Sequence, residues 1–237
     1  MYIPGGKRTA AIVLAAGRGK RMGSDTPKQF LHLPASGDGG RESVMVIERT
    51  LEVFEKSPCI DEILLVTGED WVDFCRKEVV AKNGFQKVTK VLTGGKERYD
   101  SVYAGLLACP DADYVLIHDG ARPFVTEEIL ERVTEAVQKY GAAAAGVPSK
   151  DTVKIVDEEG FAASTPDRRL VWNIQTPQAF SYPLIRSAYE IVREGNMSGI
   201  TDDAMVLERS RLARVKLVMG SYGNSKITTP EDLGMLL

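Results

Sequence analysis

Apolar residues recur in short uninterrupted runs, and between the runs they recur at helical spacing. Thr9–Ala15, Glu62–Thr67, Lys87–Leu92, Tyr114–His118, Ala142–Val147 and Arg214–Met219 read as strands. Val44–Lys56, Trp71–Lys82, Glu97–Cys109 and Glu127–Tyr140 read as the helices that separate them. The run Thr9–Ala15 lacks polar alternation, which places it at the centre of a parallel sheet, buried on both faces. Strand and helix in regular alternation predict right-handed crossovers and an α/β fold: a mainly parallel twisted sheet flanked by helices. Ligands bind such sheets at the carboxyl ends of the strands, so the loops after Ala15, Leu92, Ile117 and Met219 should converge on one cleft.

Two segments break the pattern. Pro34–Gly40 is small and polar, the composition of a surface loop. Asp151–Phe161 reads as a strand entering a hairpin turn, with no crossover helix after it. A lone hairpin has little stability of its own. It therefore packs either against a second copy of the chain, as a two-fold dimer, or back onto its own domain. The arm subregion is taken as 149–172, within a single domain spanning 1–237. There is no internal repeat or low-complexity tract.

Composition narrows the function. A net charge of −3 lacks the basic surplus that a general nucleic-acid or membrane-surface role demands, so any cationic patch must be local. Cys59, Cys75 and Cys109 are odd in number and match no metal spacing, as expected of incidental or buried thiols in a reducing compartment. No apolar run approaches the roughly 20 residues that span a bilayer, and Met1–Gly6 does not read as a signal peptide; the expected location is the cytoplasm.

The densest chemistry follows the first strand. There the chain breaks at Gly17 into a loop carrying Arg18, Gly19, Lys20, Arg21 and, a little further on, Lys28. Gly17 and Gly19 let the backbone approach a ligand and expose N–H groups to anionic oxygens, and the cations beside them suit a triphosphate. The loop is not a dinucleotide fingerprint, because Met22 stands where a third glycine is needed, and Gly95-Lys96-Glu97 is not a P-loop. An ordinary tight turn is the alternative.

Further candidates lie past the other strands. Gly94–Ser101 opens a helix with free N–H groups at its positive end, either a ligand contact or a plain capped loop. Asp119, just beyond a buried strand, can help place Mg²⁺ against phosphate oxygens. The adjoining His118 reads as a structural imidazole or a proton-transfer group. Arg122 either contacts substrate or pairs with a carboxylate. Arg168 sits in Thr165–Arg169, where its fork can grip a sugar phosphate or simply face solvent; Trp172–Gln178 continues as a polar stretch. Thr201-Asp202-Asp203 precedes a helix at Ala204–Arg209, and capping accounts for one of these residues. Lys226 would return a cation to the same cleft. Arg21, Lys28, Arg98, Arg122, Arg168 and Lys226 together could hold a nucleoside triphosphate beside a phosphorylated acceptor. A phosphate monoester, with its second pKa near about 6, is already nucleophilic at neutral pH. In-line transfer then requires positioning and charge neutralisation rather than a dedicated base.

The motifs Leu14–Met22, Pro27–Phe30, His118–Pro123, Thr165–Arg168, Gln175–Gln178 and Asn224–Thr228 together resemble the 2-C-methyl-D-erythritol 4-phosphate cytidylyltransferase family, in order from about Ala10 to Leu236. The resemblance implies a Rossmann-like nucleotidyltransferase fold with a protruding β-hairpin arm. It also implies CMP transfer from CTP to methylerythritol phosphate with Mg²⁺, in a homodimer of crossed arms. Arg21, Lys28 and Lys226 would then neutralise charge at the reacting phosphates. Ala15, Ala16, Gly17, Gly19, Gly95, Lys96, Arg98, Ser101 and Asp119 would contact CTP, with Gly95 and its neighbours reading the cytosine edge. Asp119 would also serve the metal. Arg122, Thr152, Thr201, Lys226 and an Arg168 delivered by the partner subunit would bind the acceptor. The Ala35–Gly40 loop is longer than the family usually shows. A ribitol 5-phosphate cytidylyltransferase is the nearest alternative, and a catalytically inactive nucleotide-sensing module is the alternative from another class; an NAD-linked oxidoreductase is disfavoured by Met22.

Overall fold

The first strand, β1 (Thr9–Ala15), is buried along its whole length except at the partly covered Leu14. Adjacent β1 residues enter different cores: Ala11 and Val13 face one side of the sheet, Ala10 and Ile12 the other. That two-sided burial is why the run shows no polar alternation. The computed structural model describes residues 6–17, 26–33, 43–229 and 232. Gly19, Arg21 and the Ala35–Gly40 loop lie outside them.

A single turn at Lys28–Phe30 leads to β2 (His32–Leu33) and β3 (Val44–Met45), paired antiparallel. Then come α1 (Val46–Lys56), β4 (Glu62–Thr67) and α2 (Val72–Phe74), which runs on as a π-helix over Cys75–Ala81. Next are β5 (Val88–Thr93), α3 (Arg98–Ala108), β6 (Tyr114–Asp119), α4 (Glu127–Tyr140) and β7 (Ala142–Pro148). The hairpin β8 (Ile155–Val156) and β9 (Ala162–Ser164) precedes β10 (Trp172–Ser181), α5 (Tyr182–Arg193), α6 (Asp203–Ser210) and β11 (Lys216–Met219).

Seven strands form one sheet in the order β11-β7-β10-β6-β1-β4-β5. All pairings are parallel except those of β10, which runs antiparallel to both β6 and β7. Leu51 and Phe54 of α1 and Val133 and Val137 of α4 cover one face; Val102 and Leu106 of α3 and Ala188 and Tyr189 of α5 cover the other. Each such Leu, Val or Phe contributes roughly 1.5–3 kcal/mol on burial. Gly105 lets α3 press directly on β1, since a Cβ there would lie 2.6 Å from Ile12 Cγ2. Gly141, at φ +80°, ends α4 in the left-handed conformation that glycine adopts without strain.

The strands and helices expected from the sequence lie within a residue or two of those observed, with two corrections, whereas helix α5 (Tyr182–Arg193) and the pair β2–β3 were not expected. Trp71–Lys82 is not one regular α-helix, because its second half is π-helical. The supposed polar stretch Trp172–Gln178 is an inner strand of the sheet, and its Gln175, Thr176 and Gln178 are buried. The hairpin β8–β9 is exposed throughout, leaving Ile155, Val156 and Phe161 uncovered within one chain, so it is not folded back onto its own domain.

Candidate functional site

A cavity of about 750 Å³ opens at the carboxyl ends of β1, β5 and β6, and the segment after β11 reaches it with Lys226. Its walls are the turn after β1 (Ala16, Gly17), Lys28 and Gln29, the start of α3 (Gly95, Lys96, Arg98, Ser101), and Asp119 with Lys226. The predicted convergence of loops is therefore present. A smaller cavity of about 470 Å³ against α1 is walled by Glu48, Glu52 and Glu55, the wrong charge for a polyphosphate.

Local chemistry shapes the nucleotide-sized wall. Ala15 lies beneath it, buried, and its carbonyl accepts from Gln29 Nε2 and, at 3.4 Å, from Thr67 Oγ1. Gln29 Nε2 also reaches the Gly17 carbonyl at 3.1 Å, so one buried amide fixes the chain where it leaves β1. Phe30 stacks on Trp71, with ring centroids 4.6 Å apart, and meets Phe74 edge-on at 5.3 Å; this cluster seats the turn that carries Lys28. Gly94 is needed for close approach, because a Cβ there would lie 2.6 Å from Ser101 Oγ and 2.8 Å from Ala16 Cβ. The Gly95 N–H is already committed to Ser101 Oγ at 3.1 Å, so any base contact at this residue must use its other atoms.

Asp119 is the electrostatic hub. Its Oδ2 accepts from Lys226 Nζ at 2.8 Å and lies 3.6 Å from Arg122 Nε; its Oδ1 takes Arg98 Nε at 3.4 Å. Burial pushes the Asp119 carboxyl up, but Arg98 and Lys226 outweigh it and hold the group well below the usual carboxylate range. It is an anion at every physiological pH. Arg98 turns its other edge to Asp203 Oδ2 at 2.8 Å. Burial alone would lower the Arg98 pKa; Asp203 and Asp119 raise it instead. The cationic surplus expected from sequence is thus partly cancelled by Asp119 and Asp203.

The backbone around Asp119 is fixed by a chain of hydrogen bonds. Its N–H donates to Thr176 Oγ1 at 3.0 Å, Thr176 Oγ1 lies 3.1 Å from His118 Nδ1, and His118 Nε2 lies 3.2 Å from the Arg122 carbonyl. A carbonyl only accepts, so Nε2 carries the proton and Nδ1 accepts from the Thr176 hydroxyl. His118 is a structural imidazole, packed on Phe54 at 4.9 Å, and burial drives its pKa down to about 3. Thr176 also accepts at its carbonyl from Asn224 Nδ2 at 2.9 Å, and Gln175 Nε2 donates to the Ser221 carbonyl at 2.7 Å. Those bonds hold the loop after β11 that carries Lys226.

Arg122 is largely buried, donating from Nη1 to the Asn224 carbonyl at 2.8 Å beside Asp119. Thr152, Arg168 and Thr201 do not join the cavity wall of this chain. Thr152 is exposed near the base of the arm, Arg168 Nη1 donates to the Lys150 carbonyl at 3.0 Å, and Thr201 Oγ1 faces Met205 Sδ at 3.8 Å. Gln29, Thr176, Gln178 and Asp203 carry structural weight at the site that residue type alone did not announce. Their signal is polar side chains inside otherwise apolar elements.

Among the described residues no three His, Cys, Asp or Glu side chains gather as a metal cluster. Two carboxylates, Asp119 and Glu97, line the cavity, and a donor set of this kind fits a hard cation that draws its remaining ligands from phosphate oxygens and water.

A sheet-edge cavity with a tight turn after the central strand and cations from distant segments defines a nucleotide-phosphate-binding α/β protein. The model of the 2-C-methyl-D-erythritol 4-phosphate cytidylyltransferase family matches residues 9–236, and the chain belongs to that family. It is 47% identical over 224 residues to the 2-C-methyl-D-erythritol 4-phosphate cytidylyltransferase of Lachnospira eligens, covering 94% of this chain and 95% of the relative. Against the enzyme of the same name from Geobacter metallireducens it is 48% identical over 228 residues, covering 94% and 93%. The crystal structure of 4-diphosphocytidyl-2C-methyl-D-erythritol synthase from Anaerococcus prevotii superposes with a TM-score of 0.81 at 36% identity, over 97% of this chain and 94% of that one.

Proposed function

We propose that this chain is a CTP-dependent cytidylyltransferase that transfers CMP to 2-C-methyl-D-erythritol 4-phosphate and releases pyrophosphate. The carrying observation is the cavity in which Lys28, Lys96 and Lys226, from separate parts of the sequence, line one wall system with the turn after β1. An acceptor phosphate oxygen attacks the α-phosphorus of CTP; the new P–O bond forms as the bond to the bridging oxygen breaks, and its electrons leave with pyrophosphate. Lys28 and Lys226, with Arg21, neutralise the charge that develops. Ala15, Ala16, Gly17, Gly19, Gly95, Lys96, Arg98, Ser101 and Asp119 form the nucleotide subsite. Asp119 would hold Mg²⁺, which when bound supplies further charge neutralisation on the phosphates.

The acceptor subsite is assigned to Arg122, Thr152, Thr201 and Lys226, completed by the partner subunit's Arg168. Support for a homodimer comes from the arm, where Ile155, Val156, Phe161 and Leu170 are all exposed in the single chain. A cytoplasmic location accords with free Cys59, Cys75 and Cys109 and with a described chain in which no helix is long and apolar enough to cross a membrane. The test is pyrophosphate release from CTP and Mg²⁺ with a panel of sugar phosphates. Methylerythritol phosphate should turn over fastest, and faster turnover of ribitol 5-phosphate would overturn the assignment.

A further inference from the structure

We propose that Asp203 is a positioning residue for this transfer: it fixes the Arg98 guanidinium, and through Arg98 sets the orientation of the Asp119 carboxylate and its partner Lys226. The inference rests on the site reading above and assigns a role to a residue that does not line the cavity. Asp203 is fully buried. Its Oδ2 accepts from Arg98 Nη2 at 2.8 Å and its Oδ1 from the Tyr189 hydroxyl at 2.6 Å. Its own N–H donates to Gln178 Oε1 at 3.0 Å, and Gln178 Nε2 donates in turn to Asp202 Oδ2 at 2.9 Å. The carboxylate is therefore held by Arg98 of α3 and Tyr189 of α5, while Gln178 of β10 fixes the backbone that carries it at the start of α6.

Helix capping does not account for it. Asp202 already caps α6, its Oδ1 accepting from the Met205 N–H at 2.9 Å. A buried carboxylate is costly unless it is both paired and hydrogen-bonded. Here the partner is a cation whose other edge faces the cavity.

From Tyr189 the contacts run through Asp203, Arg98 and Asp119 to Lys226, alternating acid and base from Asp203 onward. Arg98 lies between two carboxylates, 2.8 Å from Asp203 and 3.4 Å from Asp119. The nearer carboxylate is the more deeply buried of the two, so the geometry draws Arg98 away from Asp119 and leaves Asp119 Oδ2 to Lys226, with Arg122 Nε further off at 3.6 Å. Without the Asp203 charge, Arg98 turns wholly onto Asp119 and competes with Lys226 for it. The amine that should meet the reacting phosphates is then misplaced.

The test is Asp203→Asn in the full-length protein, with kcat and KM measured by pyrophosphate release and folding checked by circular dichroism and thermal melting. Displacing a group that acts mainly in the transition state should lower kcat about 10- to 100-fold while KM for CTP moves less than about threefold. Combined with Arg98→Lys, the losses should fail to multiply, because both substitutions break one linkage. An unchanged kcat, or losses that multiply fully, would overturn the proposal. If Asp203→Asn does not fold, Tyr189→Phe replaces it in the same cycle: non-multiplying losses support the linkage, and multiplying ones or none reject it. Lys28→Ala, run alongside, separates the two readings. Full activity there discards the site itself, whereas loss there with intact Asp203 variants discards only the role of Asp203.

Discussion

His118 offers a test with a sign and a size. Burial lowers its pKa from 6.5 to about 3, against the smaller upward pull of Asp119. In the unfolded chain the imidazole regains its ordinary affinity for a proton, so between those two values the unfolded state binds more protons than the folded one. Stability is therefore complete above about pH 6.5 and is lost progressively as pH falls toward 3. At about 1.4 kcal/mol per pH unit, lowering pH from 7 to 5 should remove about 2 kcal/mol through this one residue. Asp119 adds nothing in that window, since Arg98 and Lys226 keep it ionised against the pull of burial. The assay is urea denaturation at pH 7, 6 and 5 in metal-free buffer for the parent chain and for His118→Gln, which keeps a donor for the Arg122 carbonyl. Other titrating groups cancel in the difference. The parent should lose about 2 kcal/mol more than the variant over this range; parallel pH dependences would refute a neutral, buried imidazole bridging Thr176 and Arg122.

Lys28→Ala should lower kcat on the order of 100-fold while weakening CTP binding far less, because its interaction strengthens as charge develops; calorimetry beside steady-state rates would reveal equal losses if that role is wrong. Gly94→Ala places a methyl 2.6 Å from Ser101 Oγ and 2.8 Å from Ala16 Cβ. It should raise KM for CTP and cost about 1–3 kcal/mol of stability, and an unchanged KM would separate this contact from the nucleotide. Mixing Arg168→Ala protein with Lys28→Ala protein should restore activity in some heterodimers, and no recovery after demonstrated subunit exchange would count against a shared acceptor site.

The legible parts of the fold were those in which one physical effect dominated. Thr9–Ala15 is buried on both faces, so its apolar run marked it plainly; Glu127–Tyr140 pairs an amphipathic face with a glycine stop at Gly141. Trp172–Ser181 was hidden because Gln175, Thr176 and Gln178 sit inside the protein as hydrogen-bonding parts of the site, and polarity there imitates a surface loop. The cations were visible as residues, whereas their pairing was not. Lys226 meets Asp119 across 107 positions and Arg98 meets Asp203 across 105, contacts that exist only once the sheet has formed. Asp203 looked like half of a cap, since its burial depends on Tyr189 and Gln178 arriving from other elements.

A crystal structure with CTP bound would test the central claim most directly. The triphosphate should lie against the turn at Ala16 and Gly17, between Lys28 and Lys226, with cytosine beside Gly95 and Ser101. Nucleotide density anywhere else on the molecule, with this cavity left to solvent, would contradict the account.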